Sequence, residues 1–143
     1  MLRKFSISDL EAIIQIEQAA FPKTPYSRSA FMYFALLYPD NFLVYVHDDA
    51  ETGSHTIAGY IIFYPDGHIV SLAVHTAYRR RGIGRALIAA VLKRTNGTAI
   101  AEVRKSNDGA KQFYKRLGFS VRAVIPRYYG DEDALLMVRT NIT

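Results

Sequence analysis

The chain of 143 residues contains no cysteine and no tryptophan. Lack of a thiol excludes disulfides, thiolate metal sites and covalent cysteine intermediates, so any group transfer must proceed without one. No apolar run approaches the ~20 residues that a membrane-spanning helix needs. Met1-Leu2-Arg3-Lys4-Phe5 leads into a polar stretch with no apolar signal core, and a cytoplasmic protein is expected. Repeats, low-complexity segments and linkers are also missing. Residues 1–143 therefore read as a single domain, long enough to bury a core. His47, His55, His68 and His75 lack paired ligand spacing, so no metal is expected.

Acidic residues are missing from one long stretch. Between Gly67 and Ala101 there is no Asp or Glu, while Arg79, Arg80, Arg81, Arg85, Lys93 and Arg94 supply six positive charges, more than the whole net charge of +5. A field of that kind favours an anionic ligand; a solvated helix face is the simpler alternative.

Hydrophobic periodicity divides the chain into eleven elements. Arg3–Ile7 reads as a strand, and Ser8 with Glu11 as a capping box opening a helix to Ala20, in which Leu10, Ile13, Ile14 and Glu17 set the period. Prolines punctuate Phe21–Ser27, and an apolar helix then runs to about Tyr38. Phe42–His47, Thr56–Tyr64 and His68–Val74 read as strands of antiparallel hairpins. The helix Gly82–Arg94, strand Ala99–Val103, helix Asp108–Leu117 and strands Phe119–Ile125 and Ala134–Arg139 complete the order β-α-α-β-β-β-α-β-α-β-β. The fold class is α/β (α+β): one mixed, mostly antiparallel seven-stranded sheet with helices on both faces. His68–Val103 should be a parallel crossover.

Arg79-Arg80-Arg81-Gly82-Ile83-Gly84-Arg85 falls between a strand and a helix. Two glycines permit a tight turn that presents backbone N–H groups at a helix N-terminus, and the arginines add charge suited to phosphate. A Walker loop would need Gly-Lys-Ser/Thr, which is absent. A dinucleotide fingerprint would need a third small residue where Leu87 stands, although Glu102 does lie 20 residues beyond Gly82.

Arg79-x-x-Gly82-x-Gly84, after Leu72-Ala73-Val74, resembles the acetyl-CoA pyrophosphate loop of the GNAT superfamily. Ala101-Glu102-Val103-Arg104-x-Ser106-Asn107, Phe113-Tyr114-x-x-Leu117-Gly118-Phe119, Arg127-Tyr128-Tyr129 and Glu132-Asp133-Ala134 are similar to the RimI-type group, which acetylates protein N-termini. The likeness is strongest from Ile69 to Val138; Ile16-Glu17 and Ala20-Phe21-Pro22 also suit it.

The resemblance implies a GNAT fold and direct acetyl transfer from acetyl-CoA to an amine in a ternary complex, most readily the α-amine of a protein such as a ribosomal protein. It places Arg79–Arg85 on the pyrophosphate, backbone groups of Leu72, Ala73 and Val74 on the oxyanion and pantetheine arm, and Asn107 on that arm. Glu102 becomes the general base and Tyr114 the general acid. Phe21, Pro22, Tyr26, Tyr128 and Tyr129 are candidates for the acceptor groove. Residue-level alternatives stand beside these roles: an edge charge or an ion pair with Arg104 for Glu102, a core aromatic for Tyr114, and a helix N-cap for Asn107. A single glutamate suits an α-amine, of which roughly one in ten is uncharged at neutral pH, better than lysine, at roughly one in a few thousand. A small amine or internal lysine is the enzymatic alternative. A nucleic-acid-binding module fits less well, because the basic residues cluster at a turn and are not interleaved with stacking aromatics. Neither a nucleic acid nor a membrane is expected as partner.

Overall fold

A computed structural model describes residues 1–140; the last three residues of the expected domain, 141–143, lie outside them. The described residues form β1 (Leu2–Lys4), α1 (Leu10–Ala20), α2 (Arg28–Leu37), β2 (Phe42–Asp48), β3 (His55–Phe63), β4 (Ile69–Val74), α3 (Ile83–Arg94), β5 (Ala99–Arg104), α4 (Asp108–Arg116), β6 (Ser120–Ile125) and β7 (Ala134–Arg139). The element order is the one read from the sequence. The first strand, however, ends at Lys4, because the Asp9 carboxylate accepts the Ser6 amide at 2.8 Å and winds Ile7–Asp9 into a 3-10 turn. Asp9 rather than Ser8 stands at the N-cap of α1. Arg3 clamps the Asp9 carboxylate at 2.7 and 2.9 Å. Burial raises the Asp9 pKa, but the hydrogen bonds from Arg3 and Ser6 outweigh it and hold the carboxyl below its ordinary value.

The seven strands make two ladders, β1-β2-β3-β4 and β5-β7-β6, where a single sheet was expected. The expected crossover survives as one parallel bridge, His68 to Ile100, with the Ile100 amide donating to the Gly67 carbonyl at 3.0 Å. Beyond that bridge β5 takes its ladder from β7, antiparallel from Ala99↔Arg139 to Arg104↔Ala134. The chain packs as two compact units: Met1–Tyr64 with Val70–Ala89, and Pro65–Ile69 with the chain from Ala90 on.

In the first unit, strand alternation decides which helix covers which face. Tyr60 joins Ile13, Ile16, Phe31, Phe34, Phe42, Val44 and Ile62 in a core under α1 and α2. Its neighbour Gly59 faces the other way, where an added Cβ would lie 3.0 Å from the Ala73 carbonyl oxygen and 3.2 Å from Ile83 Cγ2. This glycine lets α3 approach the sheet. In the second unit, Ala99, Ala101 and Val103 are buried on one face of β5, leaving Ile100, Glu102 and Arg104 half-buried on the other. Arg139 of β7 donates to the carbonyls of Gly97 at 2.7 Å and Leu117 at 3.1 Å, fixing the ends of two loops.

Candidate active site

In the first unit, the arginine-glycine segment forms the turn that its glycines imply. Arg80 and Gly82 both adopt left-handed backbone, with φ of 65° and 79°, and an added Cβ on Gly82 would meet nothing within 4 Å. Gly82 is therefore required by conformation, and its outer side is open to a ligand. The Gly82 carbonyl accepts the Ala86 amide at 3.0 Å, so the amides of Ile83, Gly84 and Arg85 precede the first bond of α3. Arg79, Arg80, Arg81 and Arg85 are exposed around them. The Ile83 side chain turns into the core, leaving its backbone for a ligand. Amides at a helix N-terminus, with arginines around them, are an arrangement that favours an anion.

Leu72, Ala73 and Val74 lie on β4, the edge strand of its ladder. Ala73 is buried, and Leu72 and Val74 are half-buried. An edge strand has one row of backbone groups outside its own ladder, which an extended ligand can pair with. A shallow cavity at the end of β4 is lined by Gln15, Ile16, Val74, His75 and Arg79.

In the second unit, Glu102 is held by a residue that the sequence reading set aside. His68 Nε2 lies 2.7 and 2.8 Å from the two Glu102 oxygens, so Nε2 carries the proton and donates to both. The side chains are 33% and 13% exposed, respectively. The observed parallel pairing explains the contact: His68 pairs with Ile100, and Glu102 follows two residues on, on the same face. Arg104, the alternative partner of Glu102, instead binds Asp131 at 2.9 Å and Glu132 at 3.0 Å.

Tyr114 is buried, edge-on to Phe113 and Phe119, as a core aromatic would be. Burial pushes its hydroxyl well above the ordinary phenol pKa, with the charges of Tyr129 and Glu102 adding to the effect. It is therefore a protonated donor throughout the neutral range. Asn107 is the N-cap of α4, its side-chain oxygen accepting the Ala110 amide at 3.1 Å. That leaves its NH₂ group as the end suited to a ligand.

The β6–β7 loop carries Tyr128 and Tyr129, whose rings meet edge-on at 4.9 Å. Arg104 stacks over Tyr129 at 4.2 Å. Ser106 donates to Glu132 through its amide (3.1 Å) and hydroxyl (3.0 Å), and the Lys105 amide reaches the Asp133 carbonyl. Hydrogen bonds from Arg104 and Ser106 hold the Glu132 carboxyl below its usual range. The loop is thus fastened to the end of β5, with Tyr128 exposed. Phe21, Pro22 and Tyr26 belong to the other unit, in the loop between α1 and α2; Phe21 is half-buried, and Pro22 and Tyr26 are exposed. A second polar residue understated by the sequence is Glu17, 1% exposed although it keeps helical period with leucine and isoleucine.

Residues 10–119 match the model of the acetyltransferase (GNAT) family. An uncharacterised N-acetyltransferase of Methanocaldococcus jannaschii is 41% identical, over 97% of this chain and 90% of its own. An N-alpha-acetyltransferase of Sulfurisphaera tokodaii is 34% identical, over 95% and 90%. Among solved structures, Ard1 from Thermoplasma volcanium superposes with a TM-score of 0.84 at 30% identity, covering 100% of this chain and 98% of that one. The ribosomal-protein-S18-alanine N-acetyltransferase from Escherichia coli gives 0.75 at 26%, covering 100% and 95%. The fold and the RimI-type likeness are thus borne out, and the chain belongs to the acetyltransferase (GNAT) family.

Proposed function

We propose that this chain, as a single domain, moves the acetyl group of acetyl-CoA to the N-terminal α-amine of a protein or peptide by direct transfer. The observation that carries this reading is the His68–Glu102 pair: a carboxylate on the half-buried face of β5, held through both oxygens by one imidazole N–H. The imidazole N–H fixes where the carboxylate points, and a carboxylate is a base mild enough to suit an amine that is partly neutral at physiological pH. Similarity to an N-alpha-acetyltransferase and to an S18-alanine N-acetyltransferase supports the same acceptor.

The residues divide the work by their chemistry. Amides of Ile83, Gly84 and Arg85, with the surrounding arginines, hold the pyrophosphate of the donor. Leu72–Val74 offers backbone groups to the pantetheine arm and, at the thioester, an N–H to the developing oxyanion. Asn107 adds a bond to the arm through its NH₂. As the amine nitrogen bonds to the acetyl carbon, Glu102 accepts the nitrogen's proton, directly or through one water. The carbon–sulfur bond then breaks, and the Tyr114 hydroxyl donates a hydrogen bond to the leaving sulfur. Phe21, Pro22, Tyr26, Tyr128 and Tyr129 bind the first residues of the acceptor. Acetyl-CoA and an acceptor N-terminus are the partners in this reading, without nucleic acid or membrane, and the cytoplasm is the compartment.

Glu102→Gln tests the carrying observation. It should lower kcat at neutral pH by about 10²–10³. The deficit should shrink as pH rises past the acceptor's pKa, because the amine then deprotonates unaided. A folded variant with the pH–rate profile of the wild type removes Glu102 from the base role.

A further inference from the structure

Glu17 is a buried carboxylate that the reaction scheme does not use. The α1 residues sharing its buried face, Leu10, Ile13 and Ile16, are apolar, and packing alone would be met by methionine at this position. A carboxylate there is costly unless each oxygen has a donor, and here each does. Oε2 accepts the Tyr26 amide at 2.9 Å; Oε1 accepts Ser71 Oγ at 2.8 Å and the Tyr60 hydroxyl, which itself lies 3.2 Å from Ser71. The Glu17 main-chain carbonyl also accepts the Phe21 amide at 2.8 Å. One residue therefore holds both ends of the loop 21–26, in which Pro22 and Pro25 have no N–H to give. Through Ser71 the same carboxylate is tied to β4, one residue before Leu72.

We propose that Glu17 is the positioning residue of the acceptor loop: it sets Phe21–Tyr26 against β4 and so governs affinity for the acceptor peptide but not for acetyl-CoA. The proposal rests on the reading of Phe21, Pro22 and Tyr26 as acceptor-binding. β4 keeps its place through its ladder with β3 whatever stands at residue 17, whereas the Tyr26 amide donates to the Glu17 side chain, with the Tyr26 ring edge-on to Phe31 and Phe34.

Glu17→Met keeps length and removes both acceptors. Two readouts are needed, exchange of the Tyr26 amide by NMR without substrate and steady-state kinetics with both substrates. Exchange at Tyr26 should accelerate at least about tenfold while the β2 and β3 amides stay protected. The peptide KM should rise about tenfold, with the acetyl-CoA KM within about twofold of wild type. Glu17→Gln should restore both readouts. Its amide oxygen can face the Tyr26 N–H, and its NH₂ can donate to the Tyr60 and Ser71 oxygens, which accept as readily as they donate. If Glu17→Met does not fold, Ser71→Ala carries the test, with a rise of about threefold in peptide KM alone. Unchanged protection of Tyr26, or equal rises in the two KM values, overturns the proposal. Lost protection with an unmoved peptide KM overturns it too, and locates the failure in the acceptor assignment of loop 21–26. Acetylation of N-terminally blocked peptides by the wild type would instead refute the α-amine reading, whatever the result at Glu17.

Discussion

At the scale of the residue, the proposed reaction gives proton handling to Glu102 and Tyr114, which differ in what surrounds them. Tyr114 is shifted upward by burial, so its neutral form is favoured, and ionisation begins only above the ordinary phenol range near pH 10. The sign matters: a raised pKa keeps the donor loaded at every pH where the enzyme works, but makes full proton transfer to a thiolate uphill. In the proposed reaction its contribution is therefore a hydrogen bond to the departing sulfur. Tyr114→Phe, which keeps the contacts with Phe113 and Phe119, should lower kcat about tenfold or more with little change in acetyl-CoA KM. The wild-type rate should show no falling limb up to about pH 10. Equal turnover in the variant would reduce Tyr114 to a core aromatic. The motif spacing pointed to both residues, and strand alternation gave the face of Glu102. His68 escaped because its partner is 34 positions away, and only the register of a parallel pair brings the two together.

Elements carry the next level of the account. The turn from Arg79 to Arg85 was legible because its glycines and arginines have local causes: left-handed backbone at Gly82, charge, and the start of α3. On the proposed phosphate role of this turn, Gly84→Val should abolish acetyl-CoA binding in titration calorimetry while far-ultraviolet circular dichroism shows an intact fold, since a branched side chain would obstruct the approach of phosphate to the amides. Undiminished binding by the folded variant would sink that role. The division of the strands into two ladders was not legible. Each strand's pattern reports its own faces and says nothing of its neighbour, so one sheet and two give the same alternation. The first helix was mis-capped for a related reason: Ser8 and Glu11 fit a capping box, but the Arg3 clamp on Asp9, made across a strand–helix turn, decides the cap.

In the whole molecule, the boundary between the two compact units falls inside secondary-structure elements. β4 contributes Ile69 to one unit and the rest of its length to the other, and α3 is divided between Ala89 and Ala90. Both β4 and α3 run across the boundary between the units, a continuity that favours a single cooperative transition. Thermal unfolding followed by circular dichroism and by tyrosine fluorescence should therefore give coincident curves; two separated transitions would contradict the proposal of a single domain. No helix among the described residues is long and apolar enough to cross a membrane, and no group of three or more histidine, aspartate or glutamate side chains among them is placed to hold a metal.

The claim on which the rest depends is the acceptor. In the proposed reaction the Glu102 carboxylate takes the proton of an α-amine, of which roughly one in ten is already neutral at neutral pH against roughly one lysine in a few thousand, and the two tyrosines of the β6–β7 loop bind the peptide backbone. The measurement is acetylation by acetyl-CoA of one lysine-containing peptide, made with a free and with a blocked N-terminus, with the acetyl group located by mass spectrometry. The free peptide should be modified at its α-amine, and the blocked peptide should not react. Efficient acetylation of the lysines in the blocked peptide would contradict the account.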